Sequence, residues 1–236
     1  MTPLIIMVGA DKGGVGKTTV ARALDDYLIA RGAVAKLFDS EWPAGDLKRF
    51  SPSATVIDIE RVGDQMKVFD ALEGVTVLDI RAGLLSPTLR ALDEAQLLTD
   101  IRGGKINLAL LHVLGPSIAS FNEIDQAARL VGGGTKHFIV KNYINETGFF
   151  DWDSDNRFAT IFAQMSGMTV SVPHIPAQAC EMIQKLGGSF SAFTVDDRQS
   201  RILRGYVRSW LNKVWEELDR VGLGKMVRAA LPEVSP

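Results

Sequence analysis

An α/β fold, a mainly parallel sheet with helices on both faces, is what this 236-residue sequence predicts. Three observations carry that reading. Short, almost unbroken apolar runs recur along the chain, and such runs mark strands buried on both faces. Helix-period segments stand between them, which is the alternation that builds a parallel sheet. The first apolar run, Leu4-Ile5-Ile6-Met7-Val8, also feeds a glycine-rich turn that opens a helix.

The elements follow in order. The first strand covers Leu4–Val8, and the first helix runs from Lys17 to Ala30 and stops at Gly32, a C-terminal cap signal. The second strand is Ala33–Phe38. Thr55–Ile59 reads as a short strand ahead of a helical Gly63–Leu72, and Val75–Ile80 as a further strand. Helical periodicity covers Ser86–Ile101. Ile106–Val113 is a strand, Asn122–Val131 a helix closed by Gly132-Gly133-Gly134, and Lys136–Lys141 a strand. Asp155–Met165 is helical, Thr169–Val172 a strand ending at Pro173, and Ala177–Leu186 a helix. Asp196–Arg220 is a long helix with a shorter helical tail after Gly222.

Composition bounds the rest. The apolar fraction of 46% is enough for a substantial core. No linker or repeat divides the chain, so one domain over residues 1–236 is expected, with the C-terminal helices 196–231 packed on it. A net charge of −2 excludes a globally basic nucleic-acid binder but not a local basic patch. The single cysteine, Cys180, rules out an internal disulfide. No basic leader precedes the first strand, and the longest apolar stretch, Ile106–Leu114, is too short to span a membrane. A soluble, cytoplasmic protein is the expectation.

The chemistry begins at Lys12-Gly13-Gly14-Val15-Gly16-Lys17-Thr18-Thr19. A strand, a glycine-rich turn and a helix opening at Lys-Thr form a phosphate-cradling loop. Glycines let backbone N–H groups approach phosphates closely. Lys17 then reaches the β- and γ-phosphates, and the Thr18 hydroxyl ligates Mg²⁺. Asp11 stands where the ordinary motif has its first glycine, and Lys12 is an additional lysine. This loop resembles the deviant Walker A motif of the ParA/MinD family of ATPases, a P-loop NTPase type. The resemblance implies ATP and Mg²⁺ as ligands and a homodimer formed on ATP binding. It also implies that Lys12 reaches the partner subunit's nucleotide.

Ligands of such sheets bind at the carboxyl ends of the strands. The second strand ends at Asp39-Ser40-Glu41-Trp42-Pro43. Two carboxylates spaced by one residue suit a Mg²⁺–water network. The stretch resembles the family's Asp-x-Asp-Pro element, which implies that Asp39 serves the metal and catalysis and Glu41 orients water; a solvated acidic turn is the alternative. The next strand ends at Asp79, followed by Ile80-Arg81-Ala82-Gly83. Asp79 resembles a Walker B acid, which implies a hold on Mg²⁺ alongside Thr18 and Asp39. The family pattern there is Asp-Thr-Pro-Pro-Gly, so Asp79 and Gly83 are kept and the prolines are not. Arg81 is read as a surface ion-pair partner, with phosphate sensing as the alternative. Asn142 looks like the family's adenine-contacting Asn, and Pro176, in Val172-Pro173-His174-Ile175-Pro176, like its base-flanking loop.

Partners turn on the C-terminal helices. Ile202, Leu203, Tyr206, Val207, Trp210, Val214 and Leu218 form an apolar face, with Arg198, Arg201, Arg204 and Arg208 roughly opposite. Such a stripe either tracks a DNA backbone without reading sequence or is a solvated face paired with acids. The resemblance implies nonspecific DNA binding in the ATP state, and a protein partner that stimulates slow hydrolysis. The tail Val221–Leu231 is a weak amphipathic helix without bulky aromatics, so membrane anchoring is not expected. His112, His137 and His174 have no ligand spacing and read as packing residues. The aromatic stretch Asn145–Asn156 reads as a partner or dimer surface. The resulting expectation is an ATP-dependent dimerising switch that partitions or positions DNA or supports conjugative transfer. Three other readings remain open: a membrane-associated positioning ATPase, an interaction module with little hydrolysis, and a small-molecule ATP-dependent synthetase.

Overall fold

A computed structural model describes residues 1–114, 121–143, 160, 163, 165 and 167–232. Seven strands form one sheet: β1 (Leu4–Gly9), β2 (Lys36–Asp39), β3 (Thr55–Val56), β4 (Val75–Asp79), β5 (Asn107–Leu114), β6 (Thr135–Asn142) and β7 (Met168–Val172). Their order is β3-β2-β4-β1-β5-β6-β7, and every neighbouring pair is parallel. The sheet is therefore all parallel among the described residues.

The helices are α1 (Lys17–Ala30), α2 (Val62–Phe69), α3 (Leu85–Glu94), α4 (Leu97–Arg102), α5 (Phe121–Val131), α6 (Ala177–Leu186), α7 (Phe190–Val195), α8 (Arg201–Arg220) and α9 (Leu223–Ala230). They cover both faces, and the alternation of β1 shows how. Leu4, Ile6 and Val8 join a core with α1, α6, α7, α8 and α9, while Ile5 and Met7 join a second core with α2 to α5. Every residue of β1 is buried, which is why its sequence is apolar throughout.

The chain leaves β1 toward β2 on one side and later reaches β5 on the other. Strand order reverses at β1, so a crevice opens beyond its carboxyl end. The ends of β1, β2 and β4 converge there, with Asp39 beside Asp79 in register.

α1 and α6 match the expected boundaries. Other elements differ; β3 ends at Val56 and α2 at Phe69, short of the expected bounds, and three differences are larger. The second strand begins at Lys36, because Val34 lies 90% exposed in the connection. The expected helix Ser86–Ile101 is two helices, broken at Gln96, whose φ of 63° is left-handed. The expected helix from Asp196 starts instead at Arg201, where the Ser200 hydroxyl accepts the Leu203 amide; residues 190–195 form a separate helix capped by Ser189. The expected helix Asp155–Met165 and the aromatic stretch Asn145–Asn156 lie almost wholly outside the described residues.

The predicted apolar face of α8 is also narrower than expected. Val207, Trp210, Val214 and Leu218 are buried, joined by Leu211. Ile202 and Tyr206 are exposed. In α9, Leu223, Val227 and Ala230 pack into the same core as β1, so the apolar side of the tail is covered. Among the described residues, no helix is long and apolar enough to cross a membrane.

Candidate functional site

The loop between β1 and α1 is the floor of the crevice. Gly9 ends β1 where a Cβ would stand 2.9 Å from Leu85 Cδ2, so the strand and α3 meet closely there. Gly16 enters α1 at φ 87°, a left-handed turn that a glycine adopts without strain. α1 has no side-chain cap and no acid in its first turn. Its N-terminal amides and dipole thus face the crevice unsatisfied by the chain, as an anion site requires.

The two lysines of the loop part company. Lys17 is buried at 6% exposure, while Lys12, Gly13 and Gly14 are exposed. Thr18 Oγ1 donates to Asp79 Oδ2 at 3.0 Å. Asp79 is fully buried, and its other oxygen, Oδ1, has no hydrogen-bond partner. Burial pushes its carboxyl up to about 7; Lys17 pulls the other way, and Asp39 adds to the rise. A buried carboxylate with an orphaned oxygen beside a hydroxyl is a donor set that fits a hard divalent cation. Among the described residues no cluster of three or more His, Cys, Asp or Glu could hold a metal alone. A magnesium ion here would take its remaining ligands from phosphates and water, the usual arrangement for this ion.

Asp39 is fully buried too, but it is fixed differently. Its Oδ1 accepts the Glu41 amide and its Oδ2 the Lys48 amide, both at 3.0 Å. Gly45 makes that loop possible, since a Cβ there would meet Val56 at 2.5 Å and Asp39 Oδ2 at 3.1 Å. Glu41 reaches back to the loop, with Oε1 3.6 Å from Lys17 Nζ and Oε2 4.0 Å from Arg81 Nε. The ends of β2 and β4 are stitched together by Ser40, whose amide donates to the Asp79 carbonyl and whose hydroxyl accepts the Arg81 amide at 2.7 Å. Gly83 N donates to Ala10 O, tying the same segment to the phosphate loop.

Asn142 stands at the carboxyl end of β6. Its amide nitrogen donates to the Val15 carbonyl at 2.8 Å, so the donor assigned to an adenine edge is spent on the phosphate loop. Its Oδ1 is buried without a partner. Pro176 is half-buried at the start of α6, beyond the end of β7. The expected arginine stripe is largely engaged. Arg198 pairs with Asp196, Arg204 with Asp197 at 2.6 Å, and Arg208 donates to the Thr194 carbonyl; Arg201 is exposed. Arg198 precedes α8, so the four do not form one helical stripe.

Sequence reasoning missed two neighbours. Glu123, from α5, accepts the Leu85 and Ser86 amides and lies close enough to Asp11 and Lys17 to feel their charges. Burial raises its carboxyl. Arg22, one turn beyond Thr18, is buried between the Phe50 and Phe190 rings, with its guanidinium carbon 3.6 and 4.3 Å from their centroids. Neither position has a local signal, because the partners come from distant segments. A cavity of about 710 Å³, lined by Arg129, Gly132, Lys136 and His137 among others, lies at the amino end of β6, opposite the strand ends that carry this chemistry.

No family model matches the sequence, and no curated protein matches it. Solved structures do. A nucleotide-binding protein from Archaeoglobus fulgidus, in complex with ADP, is 15% identical; the match covers 75% of this chain and 84% of that one, with a TM-score of 0.50. A ParA family ATPase from Chlorobium tepidum, also 15% identical, is covered over 98% of its length and 88% of this chain, with a TM-score of 0.47. The MinC:MinD cell division complex of Aquifex aeolicus gives 15% identity, 89% and 96% coverage, and a TM-score of 0.44. At such identities these likenesses speak to fold alone. The all-parallel sheet and the glycine-rich loop between β1 and α1 agree with the match to the ADP-bound protein at the level of fold: the chain has an all-parallel α/β fold with a P-loop-type turn at the carboxyl ends of its strands.

Proposed function

We propose that the protein is an ATPase switch that dimerises around ATP and Mg²⁺ and, in that state, binds and positions DNA. One observation carries the reading: Lys17 is buried in the phosphate loop while Lys12, five positions earlier in the same loop, is exposed. One lysine serves the chain's own nucleotide, and the other is free to meet a second subunit's.

The remaining roles follow from position. Amides of Gly13, Gly14, Val15 and Gly16 and the first turn of α1, including Thr19, hold phosphates. Thr18 and Asp79 hold Mg²⁺, with Asp39 behind them. Glu41 orients the attacking water, and Asn142 and Pro176 border the base. Hydrolysis is slow and is stimulated by a protein partner. All of this belongs to one domain spanning the chain.

Arg198, Arg201, Arg204 and Arg208 are the proposed DNA contacts. The ion pair of Arg198 with Asp196 is on the surface, where such pairs are weak and DNA phosphates can replace them. The covered apolar side of α9 weighs against a membrane anchor.

Size exclusion with ATP and Mg²⁺, followed by retention of duplex DNA at two salt concentrations, tests the reading. The wild type is expected to dimerise and to bind DNA only with ATP, more weakly at high salt. Lys12→Ala is expected to bind ATP and stay monomeric. A wild type that binds ATP yet remains a monomer in every nucleotide state sinks the dimer switch. Dimerisation without DNA retention removes DNA as the partner.

A further inference from the structure

The carboxylate of Glu41 lies between two cations, Lys17 on one side at 3.6 Å and Arg81 on the other at 4.0 Å. Lys17 is the group that a phosphate loop offers to the β- and γ-phosphates. An anion belonging to the chain therefore occupies the cation meant for a phosphate. We infer that Arg81 is a second cation of the terminal-phosphate site, held by Glu41 as a stand-in for that phosphate until a nucleoside triphosphate displaces it. The inference rests on the nucleotide-binding reading above.

The surroundings favour exchange at Glu41 rather than at Asp39. Asp39 is fully buried with both oxygens fixed by backbone amides. Glu41 makes ion pairs at 3.6 and 4.0 Å, and its side chain is 28% exposed. The pair with Arg81 joins partly exposed groups at 4.0 Å, and pairs of that kind are weak and readily replaced. Glu41 meets each cation with one oxygen only, at 3.6 and 4.0 Å, whereas a terminal phosphate with three oxygens and more than one negative charge can engage both at once.

Arg81 is also well placed for the second role. Its amide is anchored on Ser40 Oγ, and Gly83, two residues on, is anchored on Ala10 O of the phosphate loop. Its backbone is thus held to both sides of the crevice, while its side chain is 55% exposed and free to turn. A guanidinium offers a planar fork that matches a phosphate. A diphosphate ends one group short, so it meets Lys17 but not Arg81. The pair is accordingly a discriminator between triphosphate and diphosphate.

Calorimetric titration of a non-hydrolysable ATP analogue and of ADP, each with Mg²⁺, tests this without any turnover. Arg81→Ala is expected to weaken the triphosphate analogue about tenfold and ADP less than about twofold. Arg81→Lys is expected to recover part of the loss. Glu41→Gln, which removes the competing charge, is expected to tighten the analogue about threefold or more. Equal losses for both nucleotides in Arg81→Ala, or weaker binding in Glu41→Gln, overturn the inference while leaving the nucleotide-binding reading intact. A folded wild type that binds neither nucleotide removes both.

Discussion

Thr18 Oγ1 donates to Asp79 Oδ2 at 3.0 Å, joining the first turn of α1 to the end of β4 across 61 residues of sequence. The bond leaves Asp79 Oδ1 buried and unpartnered. Burial raises the carboxyl from 3.8 to about 7, with Lys17 and the Thr18 bond pulling the other way. The site is built around a positive charge that the chain does not supply.

Asp79→Asn is therefore expected to stabilise the ligand-free protein and to abolish the Mg²⁺ dependence of nucleotide binding. The sign follows from the raised carboxyl: its stabilising contribution is complete below 3.8 and is lost as pH rises through about 7. At pH 8 the ionised group opposes folding, so the amide should gain on the order of 1–3 kcal/mol. Urea midpoints with and without Mg²⁺ check it. A lower midpoint for the variant at pH 8 contradicts the assignment.

Asn142→Ala separates two roles. If the side chain braces the phosphate loop through Val15 O, the loss is similar for ATP, ADP and GTP, about tenfold at most. If it reads the base, the preference for adenine collapses instead. Competition binding among the three nucleotides decides; the observed hydrogen bond predicts the first result.

His112 and His137 predict acid sensitivity. The rings are buried on β5 and β6, with His112 Nε2 3.1 Å from His137 Nδ1. Burial lowers them from 6.5 to about 3 and about 4. Unfolded chains bind these protons first, so stability present above pH 6.5 falls as pH drops toward 4. The loss at pH 5 is on the order of 1–2 kcal/mol per ring. Denaturant midpoints at pH 7.5 and 5 measure it, and replacing both rings by leucine should flatten that difference.

Gly224 and Tyr27 should be coupled. A Cβ at Gly224 would stand 2.6 Å from the buried Tyr27 hydroxyl, which itself donates to Asp219 Oδ1 at 2.6 Å. Gly224→Ala is expected to cost about 1–3 kcal/mol through overpacking. In a Tyr27→Phe background, which clears the oxygen, the same change should cost about 1 kcal/mol less. A double-mutant cycle on thermal unfolding measures the coupling, and strict additivity rules it out.

Much of the fold was legible because its signals are local. The run Leu4–Val8 is apolar at every position, Gly16 permits the turn, and Gly32 follows the end of α1, so strand, loop and helix were placed together. The break at Gln96 had no such signal. A left-handed residue there carries neither glycine nor proline, and the packing of α3 and α4 imposes it. The true start of α8 was marked by Ser200, but the charged run before it, Asp196-Asp197-Arg198, reads equally well as helix.

The sequence by itself determined that a parallel sheet would carry a phosphate loop and which strand ends would hold acids. Those facts depend on residue type, spacing and neighbours a few positions away. Only the tertiary structure decided that Asn142 spends its amide on Val15, that Glu41 sits between Lys17 and Arg81, and that three of four arginines are engaged. Each of those facts joins segments brought together by packing, and burial on both faces of the sheet sets how close they come. Periodicity states which face a residue takes; it does not state what waits on the other side.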